Sequence, residues 1–76
     1  MYQVTAIYED AEIGYGEGEG LSYGIEECLD SVPSIFHRSI FDGEIAPSKV
    51  QLSIINQEGI KFMIYLSDYI GHGATV

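Results

Sequence analysis

Lys49–Leu66 reads KVQLSIINQEGIKFMIYL. Val50, Leu52 and Ile54 alternate with Gln51, Ser53 and Ile55, the period-2 pattern of a strand with one buried face. Asn56-Gln57-Glu58-Gly59 interrupts the pattern with turn-forming residues. It then resumes with Ile60, Phe62, Ile64 and Leu66 on the inward side and Lys61, Met63 and Tyr65 on the outward side. The stretch is therefore expected to be a β-hairpin, strands Lys49–Ile55 and Ile60–Leu66, and its apolar face needs a second layer to cover it.

Upstream, Tyr2–Tyr8 alternates in the same way and reads as a further strand. Glu9-Asp10-Ala11 suits a turn, and Glu12–Tyr15 a short return strand. In GYGEGEG, Gly14, Gly16, Gly18 and Gly20 alternate with Tyr15, Glu17 and Glu19. Four glycines in seven residues weaken regular structure, so an open loop or bulged edge is expected here.

The covering layer is expected from Ser22–Ser31. Leu21, Ile25, Cys28, Leu29 and Val32 fall at helical spacing and form one apolar stripe. Ser22 is a candidate N-cap, and Pro33 ends the helix by removing a donor and restricting Val32. Ser34–Phe41 (SIFHRSIF) fits either a short helix or an irregular strand, with Ile35, Phe36, Ile40 and Phe41 largely buried. Asp42-Gly43 is a turn signal. The tail from Ser67 to Val76 holds Tyr69 and Ile70, and its last six residues, GHGATV, are expected to fray. The expected fold is α+β: a single small domain over residues 1–76, one α-helix packed on a mostly antiparallel β-sheet, in the order β(β)α(x)ββ.

The charge is unevenly spread. The first 36 residues hold eight acids and no base, whereas the remaining 40 hold four acids and three bases, Arg38, Lys49 and Lys61. The halves thus carry −8 and −1, which together give the net −9. With 46% hydrophobic residues the chain is too apolar for a disordered acidic tail. Three bases cannot make the phosphate-binding patch that DNA or RNA requires, and the net charge disfavours an anionic membrane. No apolar run approaches the ~20 residues needed to span a bilayer, and the N-terminus is not a signal peptide. A cytoplasmic protein is expected.

Chemistry is sparse. The glycine segment lacks a lysine and the G-x-G-x-x-G spacing of a nucleotide loop, and its glutamates carry the wrong sign. Asp10, Glu12, Glu17 and Glu19 supply oxygens suited to calcium, but the EF-hand spacing is absent. Cys28 lies on the apolar stripe, where a free cysteine is usually a small core residue. With His37 and His72 it makes three ligands at most, at no recognised zinc spacing. No catalytic residue, metal ligand or cofactor is expected, and the protein is not expected to be an enzyme.

What remains is an acidic surface. Glu26 and Asp30 lie one helical turn apart without a relieving lysine. Glu17 and Glu19, if extended, are ~6.6 Å apart on one side of the chain. Both separations are of the order of those between neighbouring phosphates. Tyr15 and Tyr23 lie among the acids, and tyrosine is favoured at interfaces. The expected partner-binding set is Glu12, Tyr15, Glu17, Glu19, Tyr23, Glu26, Glu27 and Asp30.

In size, acidity and lack of catalytic groups, the chain resembles small phage-encoded inhibitor proteins of the anti-CRISPR and DNA-mimic type. The resemblance covers the whole chain and rests on composition, without a diagnostic motif. It implies a non-enzymatic blocker in the host bacterial cell. Such a protein occupies a basic nucleic-acid-binding surface of a CRISPR–Cas defence or transcription protein. The alternative is a small adaptor or self-associating module, a homodimer included, that uses the β-hairpin with Ile55, Met63 and Tyr65 exposed. A calcium-binding domain is a third option.

Overall fold

A computed structural model describes the backbone of residues 1–74 of the 76, with side chains through Ile70. The chain runs β1 (Tyr2–Tyr8), β2 (Ala11–Gly18), α1 (Leu21–Ser31), α2 (Ser34–Phe41), a 3-10 turn at Pro47–Lys49, β3 (Val50–Ile55), β4 (Lys61–Tyr65) and α3 (Leu66–Ala74). The strands form one antiparallel sheet in the order β2-β1-β3-β4. It is a small α+β fold. The expected order β(β)α(x)ββ is right in its strands and incomplete in its helices.

Alternation decides the two central strands. Val4 and Ala6 of β1, and Val50, Leu52 and Ile54 of β3, are fully or almost fully buried. β1 and β2 are joined through Glu9 and Asp10, whose φ values of 51° and 66° are both positive. Positive φ at both central residues marks the turn whose twist suits a two-residue hairpin. Asp tolerates this conformation better than Glu. The β1–β2 register shifts once, between Ala6 and Ile7, where Ala6 faces Gly14 and Ile7 faces Glu12. Ile13 is the extra residue of this bulge and is buried. At the β3–β4 turn, Asn56 Oδ1 accepts the N–H groups of Glu58 and Ile60, both at 2.9 Å, and Gly59 takes φ 82°.

Three expectations are resolved. First, the glycine segment, expected as an open loop or a bulged edge, is the bulged edge. It is the C-terminal part of β2, with Gly14, Gly16 and Gly18 paired to Ala6, Val4 and Tyr2. The ladder needs only backbone groups, so the missing side chains do not prevent pairing. Second, the tail is helical through Ala74 and begins with buried Leu66, which therefore does not extend β4. Asp68 Oδ2 accepts the Tyr65 N–H at 2.9 Å, half of a capping box, and this starts the helix. Thr75 and Val76, also expected to fray, lie outside the described residues. Third, Ser22 does not cap α1. The N-cap is Gly20, and its carbonyl accepts the Gly24 N–H at 3.0 Å.

Burial was also over-assigned. Leu29 is only partly buried, and α1 packs mainly through Ile25, Cys28 and Val32. Residues 34–41 are helical, and helical periodicity places Phe36 and Ile40 together against the core. Ile35 and Phe41 fall off that face and are 69% and 92% exposed. Phe36 meets the edge of Tyr8 with ring centroids 6.4 Å apart. On β4, Ile64 packs against the core, but Ile60 and Phe62 are exposed because α1 sits over the other end of the sheet.

The helices share one face of the sheet. α1 packs on β2 and β1, Phe36 and Ile40 bring α2 to the same core, and Leu66 and Tyr69 bring α3. Among the described residues, the opposite face carries no second layer.

Candidate functional site

β2 alternates between a bare side and a decorated side. A Cβ added to Gly16 would lie 2.1 Å from the Cys28 amide nitrogen and 2.6 Å from the Glu27 carbonyl carbon. At Gly18 it would lie 2.6 Å from the Gly24 nitrogen, and at Gly14 2.8 Å from the Cys28 carbonyl oxygen. At Gly16 and Gly18 the α1 backbone therefore rests directly on the β2 backbone, and at Gly14 the Val32 and Ser31 side chains join the contact. Gly24 reciprocates from the helix, where a Cβ would come within 3.2 Å of Val4 Cγ2. Only glycine allows two backbones to approach this closely.

Ser31 locks the contact. Its hydroxyl donates to the Cys28 carbonyl at 2.7 Å and accepts the Tyr15 N–H at 2.8 Å. The Tyr15 N–H belongs to the outer edge of β2. The helix thus caps part of that edge, which would otherwise be open to pairing. At the other end of the strand, Gln57 Nε2 donates to the Glu19 carbonyl at 3.3 Å, tying the bend before α1 to the β3–β4 turn.

The expected site residues fall on three parts of this assembly. Tyr15 and Glu17 stand on the uncovered face of the sheet, because their neighbours Gly14, Gly16 and Gly18 face the helix, and Glu12 joins them because the bulge at Ile13 brings it opposite outward-facing Ile7. Glu19 is exposed in the bend. Tyr23 and Glu27 lie on the flank of α1 above β2, where their backbones meet Gly18 and Gly16. Glu26 and Asp30 are exposed on the solvent side of the helix, and Tyr23 is 62% exposed. The acids therefore wrap the β2 edge of the molecule. They do not form one plane, and the 17–19 pair is split between strand and bend.

Tyr15 and Glu17 interact directly, the phenol donating to Glu17 Oε2 at 2.6 Å. That bond, then partial desolvation and then the glutamate charge raise the Tyr15 pKa above its usual value. Cys28 is fully buried, and its thiol is pushed up to about 11 by desolvation, against a lowering bond from the Ala6 backbone. A thiol held neutral in a core is a poor nucleophile and metal ligand. His37 Nε2 is hydrogen-bonded to the Leu29 carbonyl. Among the described residues, no three His, Cys, Asp or Glu side chains gather as a metal site, and no helix is long and apolar enough to cross a membrane.

Sequence reading named the hairpin's share of the surface opposite the helices, Ile55, Met63 and Tyr65, but not its continuation across β1 and β2. Strand pairing places Glu17, Gln3, Ile55 and Lys61 in one row across all four strands, and Tyr15, Thr5, Ser53 and Met63 in the next. The signal was present in the outward positions of the alternating strands, but assembling it needed the strand order. An open cleft of about 570 Å³ lies by the β1–β2 turn, between Tyr8, Asp10, Glu44 and Lys49. The chain matches no family model, and no curated protein or solved structure is similar to it.

Proposed function

We propose that this protein is a non-enzymatic acidic binder that covers a basic, nucleic-acid-binding surface of another protein, of the kind found in bacterial defence or transcription complexes. One observation carries the reading. Glu26, Glu27 and Asp30, with Tyr23 beside them, are exposed on a helix whose backbone is seated on β2. A fixed array of like charges opposes its own stability and suits a partner of opposite sign. Glu17 and Glu19 extend the negative surface around the β2 edge. Preorganisation favours binding, because little is left to be ordered on contact.

The test is competition. The protein should displace a labelled DNA duplex from a basic bacterial nucleic-acid-binding complex at low salt and lose this ability at high salt. Reversing Glu26, Glu27 and Asp30 together to lysine should abolish displacement and leave the fold intact. Each single reversal should have a small effect, since exposed pairs are worth only ~0–1 kcal/mol. Undiminished displacement by the triple variant would place the binding surface elsewhere.

A further inference from the structure

The uncovered sheet face departs from the usual apolar-in, polar-out alternation. Its outward positions include Ile7, Tyr15, Ile55, Met63 and Tyr65, of which Tyr15, Met63 and Tyr65 are 48%, 45% and 39% exposed. All three helices lie on the other side. We infer that this face binds a second copy of the chain, giving a face-to-face sheet dimer in which Glu17 of each protomer pairs with Lys61 of the other.

The charge pattern selects a second copy as the occupant. Glu17 and Lys61 lie in the same cross-strand row, at opposite edges of the sheet, joined through Gln3 and Ile55. A two-fold axis parallel to the strands, running between β1 and β3, stacks β2 of one copy over β4 of the other. Two-fold symmetry makes the surface self-complementary. Each Glu17 then meets one Lys61 of the other copy, so the pair occurs twice, and Tyr15 stacks on Met63. Glu17 Oε2 already accepts the Tyr15 phenol, which orients its carboxylate on this face.

The net charge of −9 opposes association only through screened, distant charges, and the two-fold sets Glu12, the other acid of this face, over Tyr65 of the other copy and not over a second acid. Glu26, Glu27 and Asp30 lie beyond the sheet, on the helix side. Sheets packed face to face are ~10 Å apart, so the two α1 helices end on opposite outer surfaces. That separation exceeds the ~8 Å screening length at physiological salt. The area lies at the small end of what a stable interface uses. Four strands at ~4.8 Å and about six residues at ~3.3 Å give a patch of roughly 19 by 20 Å in projection. Side-chain relief adds to this, towards the ~600–800 Å² per partner of a small stable interface. Strand addition at the β2 edge is a poorer route to self-association, because Ser31 occupies the Tyr15 N–H there.

Sedimentation equilibrium tests the inference. The wild-type protein should show dimer mass at about 100 µM, where a complex with a dissociation constant of ~10 µM is mostly assembled. Lys61→Glu and Glu17→Lys, singly, should each weaken association about tenfold or more, because both symmetric pairs become repulsive. The double variant exchanges the charges and should restore it. Circular dichroism should be unchanged throughout, both positions being exposed. A monomer at every concentration would overturn the inference, as would single variants that dimerise normally or a double variant that does not recover. The triple α1 variant separates the two readings. Dimerisation should survive it, whereas loss of dimer would show that copies meet through the helices.

Discussion

Gly16→Ala adds one methyl group at the closest backbone contact in the protein. The new Cβ would lie 2.1 Å from the Cys28 nitrogen, 2.6 Å from the Glu27 carbonyl carbon and 2.7 Å from the Cys28 Cα. All three atoms are backbone, so no rotamer change can relieve them. Ordinary contact begins near 3.4 Å, so the helix must withdraw by roughly 3.4 − 2.1, about 1.3 Å, along the line of contact. A gap of 0.5–1 Å already forfeits about a quarter to a half of the dispersion well for the atoms it separates. Those atoms include Ile25 and Cys28 of α1 and Val4 and Ala6 of β1, all in the core. Overpacking typically costs ~1–3 kcal/mol, and a clash between two backbones belongs at the upper end, about 3 kcal/mol. At ~4–8 °C per kcal/mol for a domain of this size, the melting temperature should fall by about 12–24 °C. Gly20→Ala is the control: nothing lies within 4 Å of its added Cβ, and as a poorer N-cap it should lose no more than ~1 kcal/mol, well short of Gly16→Ala. The sign is decisive. In a flexible loop, replacing Gly with Ala stabilises by ~0.4–1 kcal/mol by restricting the unfolded chain. A Gly16→Ala protein that melts at or above wild type in thermal denaturation would refute the backbone-on-backbone contact.

On α1, Ile25→Ala should destabilise by ~2–5 kcal/mol, and Leu29→Ala by clearly less because Leu29 is only partly buried. Equal losses in urea denaturation would place the buried stripe of the helix wrongly. Cys28 should resist iodoacetamide in the folded protein and react once unfolded; rapid labelling under native conditions would contradict its burial. Its raised thiol pKa also sets an alkaline limit. Folding favours the neutral thiol, so the stability it contributes is complete below the ordinary value of 9.0 and is lost as pH rises towards about 11. The loss, about two pKa units or up to ~2–3 kcal/mol, should be missing from the pH-stability curve of Cys28→Ala.

The hairpin and β1 were legible because each alternates at period 2, with Val50, Leu52 and Ile54 inward in β3 and Tyr2, Val4, Ala6 and Tyr8 inward in β1, and such runs fix both strand and facing. The helix was legible for the analogous reason at period 3.6. The tail was not, because its start depends on Asp68 reaching back to the Tyr65 N–H, while the apolar alternation running to Leu66 masks the switch of period. Phe41 and Ile35 were misjudged because hydrophobicity was read before periodicity. Once residues 34–41 are helical, Phe36 and Ile40 take the core face and the other two cannot share it.

The glycine strand was hidden for a deeper reason. Pattern reading weighs side chains, and the buried side of β2 has none at Gly14, Gly16 and Gly18. Its partner is a helix backbone, so neither strand nor helix advertises the contact through a large apolar residue. The alternation was nevertheless present, with Tyr15 and Glu17 standing at the intervening positions. This changes the energetics expected of the acidic surface. A mobile loop would lose ~1–2 kcal/mol per residue on being ordered by a partner. Residues 14–18 already lie in β2, and α1 is braced on them by Ser31 as well as by the glycines. The unfavourable electrostatics of Glu26 beside Asp30 are therefore met by the fold itself, before any partner arrives. A basic surface that docks here gains charge complementarity without also having to organise the chain that supplies it.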